Sequence, residues 1–423
     1  MSLPRYKEYK DSGAKLGGQI PAHWAVGPIK RMLDIQNGAD HKAVESTEGV
    51  PVIGSGGPFT FATDFLYDGE SVLLGRKGTI DKPLHVTGKF WTVDTMYWSK
   101  ILPGTCGRFA YYVTLTMPFD YYSTSTALPS MTKSVLGSHI VPCPPIDEQR
   151  AIAAFLDRET AKIDTLVSEQ EKLIALLAEK RQAAISHAVT KGLYSKSPMK
   201  DSGLAWTGTV PAHWGIFRLG SLFRDIDEPG SEALPILSVS IHNGVSDKEL
   251  GESELDRKVS RSSDRSKYKA VRPGDLTYNM MRAWQGGFGS VTVDGMVSPA
   301  YVVARPMADF LTTHVECILR TPQVVAEMKR HSRGITDFRL RLYWEEFKTI
   351  QIALPPKAEQ LEIAKFIENE TRKLDSLKTE AERAISLLKE RRNALIGAAV
   401  TGQIDVRSAA PQVAVKCSEA IAA

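Results

Sequence analysis

At 423 residues the chain is too long for one ordinary core and implies two or three domains. Its 43% hydrophobic and 24% charged residues exclude a disordered chain, and no apolar run approaches the ~18 residues of a membrane helix. A net charge of +4 permits a polyanionic partner, while four scattered cysteines without a C-x-x-C pair exclude a disulfide framework and favour reduced thiols in a cytoplasm.

The first thirty residues are interrupted by Lys, Asp, Glu and Pro and read as no secretion signal. They hold a block, Asp11-Ser12-Gly13 … Ile20-Pro21-Ala22-His23-Trp24, that becomes informative later in the chain. Short β-type runs follow at Ser71–Leu74, Lys89–Val93 and Ser138–Val141. Pro144-Pro145 ends that region. From about Asp147 to Lys191 there is no Gly or Pro, and Ala, Leu, Glu, Lys and Gln dominate, which predicts one long helix ending at Gly192. Its stripe is Ile152, Leu156, Ile163, Leu166, Leu173 and Leu177.

The first block then returns as Asp201-Ser202-Gly203 … Pro211-Ala212-His213-Trp214, an offset of 190 (Asp11 to Asp201). Strand-like runs follow at Leu276–Asn279 and Tyr301–Ala304, a helical stretch at Thr321–His331, and an apolar run at Thr349–Ile352 before Pro355-Pro356. The second long helix has the stripe Ile363, Phe366, Leu374, Leu377, Leu388 and Leu395. Pro144-Pro145 … Glu148-Gln149 … Asp164 and Pro355-Pro356 … Glu359-Gln360 … Asp375 repeat with an offset of 211 (Glu148 to Glu359). The offsets differ by 21, so a constant frame carries two inserts of different length and nearly unrelated sequence. Each helix would be roughly 65 Å long, and connectivity favours antiparallel pairing, because the second insert then starts and ends at neighbouring points. The expected molecule is a helical rod with approximate two-fold symmetry and one α/β head at each end. Gln170, Lys180 and Arg391 are polar stripe positions that could set register or lie at solvated sites. The tail after about Gln403 reads as disordered or loosely packed.

No phosphate loop, H-E-x-x-H, nucleophile elbow or Asn/Asp-Pro-Pro-aromatic motif occurs. Gly286-Gly287-Phe288-Gly289 lacks dinucleotide-binding spacing and marks a turn. His23 and His213 hold equivalent repeat positions, which favours a packing role over catalysis. A nuclease or transferase would have only scattered acids such as Asp94, Asp120 and Asp294. What remains is cationic and aromatic. Head one has the glycine-flanked turn Gly75-Arg76-Lys77-Gly78-Thr79 and the tract Tyr121–Thr126. Head two has a basic run from Arg257 to Arg272, then Arg282-Ala283-Trp284-Gln285 and Arg333–Arg341. Lys and Arg neutralise phosphates; Arg, Gln and Thr also read base edges. The candidate DNA-binding residues are therefore Arg76, Lys77 and Thr79 in head one, with Arg282, Gln285, Arg333, Arg339 and Arg341 in head two. No catalytic, cofactor or metal residue is assigned.

At its repeated blocks the sequence resembles the specificity subunits of type I restriction-modification enzymes. The resemblance runs through the two tryptophan blocks and the two Pro-Pro-x-x-Glu-Gln helix starts, and covers the chain as an order of parts. It implies α/β (α+β) target-recognition domains at 1–145 and 193–355, spacer helices at 146–192 and 356–402, and a tail at 403–423. It implies a non-catalytic, cytoplasmic subunit that binds double-stranded DNA and docks methylation subunits, with a restriction/motor subunit joining through the complex. S-adenosylmethionine, ATP and Mg would belong to those partners. Two different heads should read unlike half-sites, roughly 10 base pairs apart, so the site should be bipartite and not palindromic. The alternative reading is a two-headed coiled-coil adaptor that binds proteins and no DNA.

Overall fold

The computed structural model describes residues 4–13, 18–122, 129–251, 264–334 and 340–408. They fall into two compact units, one formed by Met1–Glu171 with Glu382–Ala423 and the other by Lys172–Ala381. Two long helices, Ile146–Lys191 and Lys357–Val400, contribute part of their length to each unit.

In unit one, β1 (Leu33–Asn37), β2 (Ser71–Gly75), β3 (Leu84–Val86) and β4 (Met96–Ile101) form an antiparallel sheet in the order β3-β2-β4-β1. All five residues of β2 are buried, which explains its continuous apolar run where alternation would mark a half-exposed strand. In unit two, β5 (Phe223–Ile226), β6 (Leu276–Asn279), β7 (Phe288–Ser290) and β8 (Tyr301–Pro306) repeat the same order, β7-β6-β8-β5. A second layer repeats as well. Trp91–Thr92 pair in parallel with Val52–Ile53, as Met296 does with Ile236, and each central strand has an antiparallel neighbour on its other side.

The sequence-unrelated inserts are therefore one topology folded twice. From β2 to Leu276 and from Gly107 to Thr312 the offset is 205, so the 21-residue difference divides into fifteen residues before β2/β6 and six after the following helix. The apolar runs before each Pro-Pro are strands, shifted by two residues, at Ile140–Cys143 and Gln351–Leu354. They pair antiparallel, in equivalent register, with Ala25–Pro28 and Gly215–Arg218.

The first turn of each long helix ties the frame together. Glu148 accepts hydrogen bonds from Trp24 Nε1 at 2.9 Å and Tyr6 Oη at 3.1 Å, and lies 2.7 Å from His23 Nε2. Glu359 does the same with Trp214 Nε1 at 3.2 Å and His213 Nε2 at 2.6 Å. Both indoles are fully buried. The two histidines thus belong to the frame. Gln149 accepts from the Cys106 backbone N–H at 2.9 Å, and Gln360 from that of Leu311 at 2.8 Å, at the starts of helices Gly107–Thr114 and Thr312–Leu319. Neither helix has a capping side chain of its own at that residue.

Within each unit the long-helix segments run antiparallel. In unit one Ile152 and Leu156 share a core with Ile396 and Val400, and Asp164 pairs with Arg392 at 2.9 Å. In unit two Ala188 and Val189 share a core with Ile363, and Arg181 pairs with Asp375 at 3.2 Å. These two ion pairs are repeat mates, and each lies one residue from a polar stripe position, Lys180 or Arg391. Leu166, Leu173, Phe366 and Leu377, expected in the seam, are exposed. A two-helix contact buries only a narrow stripe, so the outer members of a wider apolar face remain outside it. The expectation of a loose tail is also corrected for its first residues. Val406 is fully buried, the Asp405 N–H donates to the Pro4 carbonyl at 2.8 Å, and Arg407 chelates Asp405.

Two predictions follow from this packing. Glu148→Ala would leave the buried Trp24 N–H without its acceptor and should lower stability by about 2–3 kcal/mol, read as an earlier urea transition. His314 is buried with neither ring nitrogen bonded, at the place where unit one has Phe109, and burial pushes its pKa down to about 4 from 6.5. The unfolded chain therefore binds this proton first: the stabilisation is complete above pH 6.5 and is lost as pH falls toward 4. On the order of 3 kcal/mol is involved. His314→Phe should flatten the fall in melting temperature across that window; an unchanged pH profile would show that His314 does not drive it.

Candidate nucleic-acid interface

The two glycine-flanked basic turns proposed from sequence occupy the same place in the two units. Arg76–Thr79 lie in the loop from β2 to β3, and Arg282–Gln285 in the loop from β6 to β7. Each loop is buttressed by the segment that leads to the last strand. The Met131 N–H donates to the Arg76 carbonyl at 3.0 Å, and that of Leu342, its repeat mate, to the Met280 carbonyl at 2.9 Å.

In unit one the loop is tight. A Cβ on Gly75 would lie 2.4 Å from the Thr79 carbonyl oxygen, so only glycine fits, and Gly78 has φ +83°. Lys77 and Thr79 project as exposed side chains, while Lys77 bridges to Ser130 through its backbone. Arg76 is half-buried; its Nη1 donates to the Asp94 carbonyl at 3.2 Å and its guanidinium lies 6.0 Å from the Tyr97 ring. It is the most restrained of the three.

In unit two Arg282 precedes a single helical turn, Ala283–Gln285, closed by Gly286 at φ +88°. Gln285 is exposed and Arg282 half-exposed. Arg333 and Arg341 face one another as an antiparallel bridge, with N–H to carbonyl distances of 2.9 and 2.8 Å. The Leu342 bond to Met280 sets this bridge beside the hairpin loop. The fold thus gathers Arg282, Gln285, Arg333 and Arg341, although the two pairs lie far apart in sequence. Arg339 lies outside the described residues, as do Ser123–Thr126 of the polar-aromatic tract and Arg257–Ser263 of the basic run.

Two residues join this surface unassigned by the sequence reading. Trp284 packs on the loop, its Nε1 donating to the Met281 carbonyl at 3.0 Å, and Lys329 places its ammonium 5.9 Å from that ring. The signal for Lys329 was the basic last turn of helix Pro322–His331, and only folding brings it over the indole. The described part of the basic run does otherwise. Lys269 pairs with Asp227 and Arg272 with Glu228, while Arg265 binds the carbonyls of Glu232 and Leu234. That stretch is a structural strap. Among the described residues no His, Cys, Asp or Glu group could hold a metal ion, and no helix is long and apolar enough to cross a membrane.

The side chains gathered here are Arg, Lys, Gln, Thr and Trp, a set suited to phosphates and base edges. Residues 21–175 match the family model of the type I restriction modification DNA specificity domain. The chain is 23% identical over 300 residues to the EcoBI specificity subunit of Escherichia coli, covering 67% of this chain and 62% of that one. It is 22% identical over 290 residues to the EcoKI specificity subunit of Escherichia coli strain K12, covering 62% and 57%. It spans about three-fifths of the length of these relatives. A solved chain from a study of assembly and conformational transition in a type I R-M system superposes with a TM-score of 0.66 at 13% identity, over 91% of this chain and 99% of that one, which shows a shared fold. With its duplicated frame and its specificity-domain match over residues 21–175, the chain is similar to the specificity subunits of type I restriction-modification enzymes.

Proposed function

We propose that this chain is the DNA-sequence-reading subunit of a type I restriction-modification complex, binding an asymmetric two-part duplex site with one half read by each unit. The observation that carries the reading is the equivalence of the β2–β3 and β6–β7 loops: one scaffold position, used twice, presenting Arg-Lys-Gly-Thr in one unit and Arg-Ala-Trp-Gln in the other. A constant place with different side chains is what reading two unlike half-sites requires. In this reading the chain selects the site. Methyl transfer from S-adenosylmethionine and ATP- and Mg-dependent cleavage reside in methylation and motor-nuclease partners docked on it.

Methylome sequencing of a host expressing the chain with its neighbouring methylating subunit tests this directly. A new two-part, non-palindromic methylated site is the expected result. No new methylation, with the partner active alongside another specificity chain, would overturn the reading. On a duplex carrying that site, Lys77→Ala should weaken binding evenly across sequences and reduce the salt slope by about one. Arg282→Ala should cost about 1–3 kcal/mol, concentrated in one half-site. Equal losses on every duplex would make Arg282 a phosphate contact instead.

A further inference from the structure

One acidic side chain touches the cationic surface of unit two. Glu346, in the helical turn Trp344–Phe347, has its Oε1 2.8 Å from Nη2 of Arg333. The exposures are unequal: the Glu346 side chain is 13% exposed and that of Arg333 76%. The carboxylate is thus an anchor set among packed groups next to the fully buried Phe347, while the guanidinium it holds faces solvent. Its other oxygen, Oε2, is buried and accepts no hydrogen bond. The backbone of Arg333 is fixed too, by both bonds of its bridge to Arg341.

A free surface arginine samples many rotamers and suits a phosphate, which accepts approach from many directions. An arginine held at one amino group loses that freedom but keeps most of its five N–H donors for a planar, two-acceptor partner. In a duplex that partner is the O6/N7 edge of guanine. The acid is also particular to one unit. At the position 211 residues earlier Val135 stands for Glu346, so the carboxylate is absent from unit one. An element that distinguishes two half-sites is expected to differ between units in this way.

We propose that Glu346 is a positioning residue that presets Arg333 for reading a guanine, so that the half-site of unit two contains a guanine recognised by Arg333. This rests on the DNA-reading function proposed above. The opposing account is that Glu346 only offsets the repulsion between Arg333 and Arg341 and has no bearing on base choice.

The test uses the full chain with its methylating subunit, the duplex site found by methylome sequencing, and a panel of duplexes with single substitutions in each half. Glu346→Gln and Arg333→Ala should each reduce discrimination at the same guanine, in one half-site only, by roughly tenfold. The double variant should lose no more than either alone. Arg333→Lys, which keeps the charge but not the fork, should lose the discrimination and retain the salt slope. A Glu346→Gln chain that melts earlier yet discriminates fully would overturn the proposal, as would an Arg333→Ala chain that weakens on all duplexes equally. A wild-type complex indifferent to sequence would instead remove the DNA-reading function itself, and the proposal with it.

Discussion

Everything in this fold hangs on the Glu-Gln pair in the first turn of each long helix. The carboxylate joins the helix to a buried tryptophan of the opening block, and the neighbouring amide joins it to the start of a second helix. A carboxylate is also well placed there electrostatically, since helix N-termini favour negative charge. Where the other long helix ends, a glycine lies against the same tryptophan. Gly192 approaches Trp214 and Glu359 in unit two, and Gly402 approaches Trp24 and Pro21 in unit one, both at positive φ. Each unit is organised where one long helix begins and the other ends.

That arrangement explains why the chain order differs between units while the packing does not. In unit two the chain continues from Gly192 into the hairpin Met199–Asp201/Thr209–Pro211. In unit one the equivalent place is reached from Gly402, and the segment beyond it lies against the opening residues through Asp405 and Pro4, with Tyr9 donating to the Gly402 carbonyl at 3.0 Å. The cation of Arg407 lies 4.9 Å from the Tyr6 ring and 3.8 Å from Glu148. Burial and the Glu148 carboxylate push the Tyr6 hydroxyl well above its usual range, so it remains a donor in the clamp.

On this frame the β2–β3 and β6–β7 loops differ between the two units. Each leaves a central strand of a four-stranded sheet and is held by backbone bonds from later segments, at Arg76, Lys77 and Gly78 in unit one and at Met280 in unit two. The side chains between those bonds carry no core packing in common, apart from the turns imposed by Gly75, Gly78 and Gly286. Changes of length are absorbed upstream of β2 and β6 and after the following helix, away from the strands that aim the loops.

How much of this was legible in the sequence follows from where each constraint acts. The duplication, the long helices and the Glu-Gln helix starts are local patterns with their own periodicity or spacing, and they survive as identical residues because they pack against the same partners twice. The candidates Arg76–Thr79 and Arg282–Gln285 stood out because turns leave local signatures in glycine. The likeness of the two inserts did not, because a topology needs only apolar residues at strand positions and many sequences supply them. The outward-facing leucines, the sinking of Val406 into the core and the ion pairing of Lys269 and Arg272 were decided by neighbours distant in the chain. Sequence by itself determined the repeated frame and which side chains were available for binding. Only the tertiary structure decided that the two loops are equivalent, that Lys329 covers Trp284, and that Glu346 holds Arg333, because each depends on contacts between segments that no local pattern records.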